Sequence, residues 1–291
     1  MMQRRAFLKQ AGLVSALSLI DPRGLFAAPA PMKIGLQLYT LREYIGKDVK
    51  GVLAKIAKAG YQEVETYGYS KEKGFWGLSA QEFSAALKAN GLTSSSGHYE
   101  MNGFVQDGNP EALKTYIEAA KICGQTYVVV PHLNDQLRAT PTDFKAVADK
   151  VNKAGELCKA AGLRVAYHNH DFEFKTVSGT SLYDVLLKET DPALVDFELD
   201  LYWVVRAGLD PLKLMAAHPK RFTMWHVKDM DKAKPELNTE VGAGSIDFKK
   251  IFQSASTSGL KHIYMEQENF AKDAFQSITQ SAAYIKKSLL V

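Results

Sequence analysis

Arg164-Val165-Ala166-Tyr167-His168-Asn169-His170-Asp171-Phe172-Glu173-Phe174 opens on an apolar run short enough for a β-strand. Strand side chains alternate, so Ala166, His168 and His170 share one face while Tyr167 and Asn169 take the other. Two imidazoles therefore leave the strand end on the same side. Neutral imidazole is a ligand for zinc, manganese, iron or nickel, and a strand terminus holds it more rigidly than a loop does. The alternative is that both histidines are polar caps on a buried strand, bonded to neighbouring loops. The chain on either side of this stretch decides between them.

Outward from it, apolar strand-like runs alternate with helix-period segments, the pattern of parallel strands joined by helices. The strands fall at Lys33–Tyr39, Tyr61–Thr66, Leu92–His98, Thr126–Pro131, the opening stretch, Val195–Leu199, Phe222–Val227 and His262–Glu266. Between the first two, Val49, Val52, Leu53, Ile56 and Ala57 form a helical stripe stopped by Gly60. Ser79 with Glu82, and Ser181 with Asp184, have helix-opening spacing. Pro110 to Cys123, closed by Gly124, and the segment from Pro141 to Ala161 read as further helices. Eight strand–helix units in about 260 residues predict a single (β/α)8 barrel, a TIM barrel, over residues 31–291. An open doubly wound sheet is the other arrangement with this order, but no glycine-rich phosphate loop follows the first strand. The loops after the second, fourth and seventh strands are the longest and are expected to shape a pocket.

Residues 1–30 read differently. Arg4-Arg5 with Phe7-Leu8, the apolar run Ala11 to Ile20 and the small residues Ala27-Ala28-Pro29-Ala30 resemble a twin-arginine export signal. The expectation is export through the twin-arginine machinery to the periplasm. This leader carries four cations against Asp21, so about +1 of the formal +4 remains for the rest of the chain. That leaves no basic field for nucleic acid. No run reaches the roughly 18–20 apolar residues of a membrane span. Cys123 and Cys158 lack metal-ligand spacing and read as buried apolar side chains.

Marking the strand ends produces a constellation. Glu65 closes the second strand, His98 the third, His132 follows the fourth, and His168 and His170 the fifth. Asp200 closes the sixth, His226 and Lys228 the seventh, and Glu266 the eighth. Five of the seven histidines thus fall on one rim, which a barrel brings towards its axis. Trp203, Trp76, Phe75 and Tyr39 are candidates for a flat apolar surface on which a sugar face stacks.

Tyr167 to Phe174, Glu198-Leu199-Asp200-Leu201-Tyr202-Trp203, Trp225-His226-Val227-Lys228-Asp229, Gly242 to Phe248 and Tyr264-Met265-Glu266 together resemble the sugar phosphate isomerase/epimerase family. This is the xylose isomerase-like TIM-barrel superfamily, which also contains inosose dehydratases, ketose epimerases and endonuclease IV. The resemblance implies one divalent ion held by a carboxylate after the fifth strand, an aspartate after the sixth, a histidine after the seventh and a glutamate after the eighth. Asp200, His226 and Glu266 match the last three. His168 stands where many relatives carry the first carboxylate, giving an expected set of His168, Asp200, His226 and Glu266. Imidazole in that set makes manganese or zinc the expected ion.

The epimerases of the family use two metal-bound glutamates to exchange a proton next to a ketose carbonyl. Here Glu266 remains of that pair, so the second base is expected to be His170, Glu65 or Glu173. His98, His132, Lys228 and Trp203 are the expected substrate contacts. The activity implied is a metal-dependent sugar isomerase or epimerase working by proton abstraction beside a carbonyl. One-base chemistry, as in a lyase or hydrolase of an oxidised (3-keto) glycoside, is the alternative on the same scaffold. A nuclease like endonuclease IV needs a multinuclear site and a basic groove, and the near-neutral charge disfavours it. A non-catalytic sugar-binding barrel would keep the aromatics without needing a metal.

Overall fold

The computed structural model describes residues 32–290; the expected export signal lies outside them. Eight parallel strands form a closed barrel: β1 (Ile34–Gln37), β2 (Glu63–Thr66), β3 (Thr93–His98), β4 (Tyr127–Val130), β5 (Arg164–His168), β6 (Val195–Asp200), β7 (Phe222–Val227) and β8 (His262–Met265). Each pairs with its neighbours in sequence, and β1 closes the ring by pairing Gly35 with Tyr264 of β8. Gly35 is required at that seam, since a Cβ there would lie 2.4 Å from the Tyr264 ring and 2.5 Å from the Ile263 carbonyl.

Helices cover the outside. In Val49–Lys58, Val52, Leu53 and Ile56 are buried against the barrel, each worth about 1.5–3 kcal/mol relative to exposure, whereas Ala57 is only half-buried. Ser79 opens Ala80–Ala89 with a reciprocal capping box to Glu82, and Thr140 does the same with Asp143 for Pro141–Ala160. Cys123 and Cys158 are free and buried, in helices Glu111–Cys123 and Pro141–Ala160. No described helix is long and apolar enough to cross a membrane.

The first strand is shorter than its apolar run. Gln37 turns its side-chain oxygen onto the Tyr39 N–H (2.9 Å), and Leu38–Leu41 coil into a 3-10 turn.

Inside the barrel the chemistry changes within one step along β5, β7 and β8. Tyr127, Val129, Ala166, Met224 and Tyr264 pack as an apolar cluster. Two residues further on, the same inward faces carry His168 after Ala166, His226 after Met224 and Glu266 after Tyr264. On these three strands the inward face is therefore apolar below and polar towards the carboxyl end, while β2 buries Glu63 and Glu65.

Candidate metal centre

A cavity of about 390 Å³ opens at the carboxyl ends of the strands. Tyr67, Gly68 and Tyr69 after β2, and Pro131 and His132 after β4, supply part of its wall, with Tyr39 beside them. His98, His168, His170 and Glu266 face it from the strand ends, and Glu100 and Glu268 add two more carboxylates. The loops after β2 and β4 thus shape the pocket as their length predicts. The long loop after β7 contributes no described residue to its lining. That loop is tied down by Asp229, whose buried carboxylate accepts from the N–H groups of Met230, Gly242, Gly244 and Ile246 at 2.9–3.1 Å.

Three of the four expected metal ligands gather. Asp200, His226 and Glu266 each present a donor atom within 4.8 Å of the others, and all three are buried. His226 Nδ1 lies 3.3 Å from Glu266 Oε2 and 4.0 Å from Asp200 Oδ2. Asp200 is aimed by the helix it opens: Oδ1 accepts from the N–H groups of Tyr202 (2.8 Å) and Trp203 (3.2 Å). The Asn169 side chain fixes the same point by accepting from the Asp200 N–H at 3.0 Å. Asp200 Oδ2 remains buried and without a partner.

Burial pushes the Asp200 carboxyl up to about 7, against the pull of Lys228 and His226. Burial works the same way on Glu266, but Lys228 and His226 hold it well below the usual range. Lys228 is itself buried, donating to Glu266 (3.1 Å) and to Glu268, and those carboxylates keep it charged. Its Nζ also sits 5.2 Å from the Trp203 ring centre. A buried carboxylate oxygen with no donor, next to an imidazole nitrogen and a second carboxylate, fits a divalent cation, whose charge would offset the cost of burying both acids.

His168, the fourth expected ligand, lines the cavity but falls in a different donor group. Its Nδ1 lies 3.2 Å from Glu198, in a second cluster with His98 and the far side of His226. There His98 Nε2 is 2.7 Å and His226 Nε2 3.3 Å from Glu198 Oε2. Glu65 adjoins them, accepting from His226 Nε2 and Gln37 Nε2, each at 2.7 Å, and from Ser96. Burial opposes charge on His98, but Glu65 and Glu198 raise it to about 9. Both carboxylates are held low, against their burial, by the imidazoles around them.

The remaining predicted residues occupy distinct places. Glu65 lies beneath the pocket with its oxygens engaged by these donors. His170 faces the pocket with Nδ1 unpartnered, and burial and the Lys228 charge push it down to about 3, so it is neutral. Its backbone N–H is fixed by Glu173 (2.8 Å), which also accepts from the Tyr167 hydroxyl (2.9 Å). Burial raises Glu173 to about 8, and it supports the His170 loop from behind. His132 stands at the wall 5.2 Å from the His170 ring. Trp203 packs on Tyr202 and His170 outside the lining, and Phe75 is stacked in the core on Phe83. Tyr39 and Tyr67, edge to face at 5.1 Å, form the aromatic wall instead.

Glu198 and Glu268 are the residues that strand-end marking passed over. The alternation that pairs His168 with His170 also pairs Glu198 with Asp200 on one face of β6.

Residues 53–288 match the xylose isomerase-like TIM barrel family. An inosose dehydratase from Lactiplantibacillus plantarum is 26% identical over 84% of this chain and 91% of its own length, while several other inosose dehydratases match over about half of theirs. The crystal structure of a sugar phosphate isomerase/epimerase from Parabacteroides distasonis is 30% identical, with a TM-score of 0.79 over 91% of this chain and 98% of that one. The IOLI protein, solved with a bound zinc atom, shares the fold at 15% identity, with a TM-score of 0.69 over 89% of this chain and 99% of that one. The chain belongs to the xylose isomerase-like TIM barrel family.

Proposed function

We propose that this protein is a metal-dependent enzyme that removes a proton from the carbon next to a carbonyl on a sugar or cyclic polyol. The observation that carries this reading is Asp200 Oδ2, buried and unpartnered beside His226 Nδ1 and Glu266, the last of which lines an open cavity. Asp200, His226 and Glu266 would hold the ion, with His168 beside them and manganese or zinc as its identity; the zinc in the structure of the IOLI protein agrees with that choice. When bound, such an ion polarises a carbonyl oxygen and makes the neighbouring C–H acidic.

The chain's own groups do the rest. Lys228, charged and held by Glu266 and Glu268, places a fixed positive charge where negative charge would develop on substrate oxygen. Glu266 and His170 face the cavity and are the groups available to take the proton. His170 is neutral with a free nitrogen, and its low proton affinity favours handing the proton on. Glu65 acts by holding His226 rather than as a base. His98, His132 and the Tyr39–Tyr67 wall contact the sugar.

Two outcomes follow from the same abstraction. Returning the proton to the sugar gives isomerisation or epimerisation. Expelling a β-substituent gives a lyase, and a single glutamate among the residues that would hold the metal favours this second reading, in keeping with the inosose dehydratases among its relatives. We also propose that residues 1–30 direct export to the periplasm. The chemical reading is tested by incubating metal-loaded protein with ketoses, inososes and 3-keto-glycosides in deuterium oxide and following products by NMR. Deuterium at the carbon beside the carbonyl is expected in the reactive substrate or its product. Turnover with no incorporation and no primary isotope effect there would remove proton abstraction.

A further inference from the structure

The cluster beneath the pocket contains more ligand capacity than its hydrogen bonds use. Nitrogens of His98, His168 and His226 converge on Glu198 Oε2 at 2.7, 3.2 and 3.3 Å. Of the three contacts, that of His98 has hydrogen-bond geometry. His168 Nδ1 and Glu198 Oε1 are buried with no partner, in residues only 3% and 0% exposed. Donor atoms of all four residues lie within 4.8 Å of one another.

We propose that His98, His168 and Glu198 form a second divalent-cation site, lying below the one formed by Asp200, His226 and Glu266. An ion-pair network is the competing account, with imidazolium protons on His98 and His226 shared by Glu65 and Glu198. It balances the two buried carboxylates, but it leaves His168 Nδ1 and Glu198 Oε1 without a hydrogen-bond partner, each stripped of water with no bond in return. One divalent cation supplies the same two positive charges and gives both orphans a partner. The site can be tested apart from the proposed metal centre, because neither Asp200 nor Glu266 contributes to it, although His98 also lines the cavity.

Two imidazoles and one carboxylate select a borderline transition cation such as zinc, cobalt, iron or manganese over magnesium or calcium. Three protein ligands leave coordination positions open. His98 and His168 line the cavity, so the ion has a route in from the barrel mouth. His226 stands between the two sites, with Nδ1 towards Asp200 and Glu266 and Nε2 towards Glu65 and Glu198.

The test is a count. The full chain, stripped with a chelator, is titrated with Co²⁺ alone, and bound cobalt is measured by equilibrium dialysis with elemental analysis while visible absorption reports imidazole coordination. Two cobalt ions per chain are expected for the wild type, and one each for Asp200→Asn and Glu198→Gln. Circular dichroism confirms that the variants are folded, and His98→Asn replaces Glu198→Gln if that variant is not. A single cobalt in the wild type that Glu198→Gln retains and Asp200→Asn loses overturns the proposal, whereas one lost by Glu198→Gln and kept by Asp200→Asn upholds this site and removes the upper one. Two cobalt ions retained by both folded lower-site variants, Glu198→Gln and His98→Asn, overturn it as well.

Discussion

Asp200 offers the sharpest test of the upper site because its two oxygens have separate tasks. Oδ1 caps the helix Leu201–Arg206, and Oδ2 is the bare oxygen beside His226 and Glu266. Asp200→Asn keeps an oxygen for the cap and removes the anionic ligand; Asp200→Ala removes both. Binding to the folded state alone stabilises by about 2.7 kcal/mol at 100 times Kd. At about 2–4 °C per kcal/mol, the wild-type melting temperature should rise by roughly 5–11 °C with zinc or manganese. That figure is for one filled site, so Asp200→Asn should lose the upper site's share of the rise and keep the share of the lower site. In chelator, Asp200→Ala should melt below Asp200→Asn by the cost of a lost cap, about 0.5–2 kcal/mol. The pH dependence has a definite sign. With Asp200 raised from 3.8 to about 7 in the metal-free fold, the folded chain binds a proton that the unfolded chain releases. Wild-type stability in chelator should therefore fall as pH rises from about 4 to 7 and level off above, and Asp200→Asn should lack that component. Differential scanning fluorimetry with metal and with chelator measures all of this. A metal-induced shift in Asp200→Asn equal to that of the wild type would refute the assignment of Oδ2 as a ligand.

Glu65→Gln should weaken metal binding about 10- to 100-fold, as loss of a carboxylate supporting a ligating histidine does, and an unchanged zinc titration would show that the Glu65–His226 bond is idle. Glu173, raised by burial from 4.5 to about 8, should make stability fall across that pH interval. Glu173→Gln should flatten that part of the urea-midpoint profile, and a slope identical to the wild type would place the titration elsewhere. Replacing Arg4 and Arg5 together by Lys should leave the precursor in the cytoplasm on fractionation, and continued export would remove the twin-arginine reading.

The barrel was legible because both of its periods are written plainly. Four-residue apolar runs such as Tyr127–Val130 alternate with amphipathic segments such as Val49–Lys58, whose apolar positions face inward. Strand-end marking likewise located Asp200, His226 and Glu266 on adjoining strands. What it lacked was depth. Strand-end marking put Glu65 and Glu266 on one rim, yet Glu65 lies within β2, buried and bonded to His226, whereas Glu266 follows β8 and lines the cavity. Glu198 escaped for the same reason: it lies one pleat before the strand end, where barrel interiors are ordinarily apolar. The direction of His168 was also beyond reach, since alternation fixes the face of a strand and leaves the ring torsion to its neighbours.

His226 has a consequence for anyone wishing to change the metal preference of this scaffold. Its ring touches carboxylates on opposite sides, Glu266 and Asp200 through Nδ1, Glu65 and Glu198 through Nε2. Imidazole presents two nitrogens on one rigid ring, and neither a thiolate nor a carboxylate can span that separation. Replacing it by Cys or Asp would therefore cut the barrel mouth off from its floor, not merely exchange one donor for another. His168 engages Glu198 with one nitrogen, so exchanging it alters one donor and leaves the link between mouth and floor in place. A library aimed at a harder or softer ion should vary position 168 and hold position 226 constant.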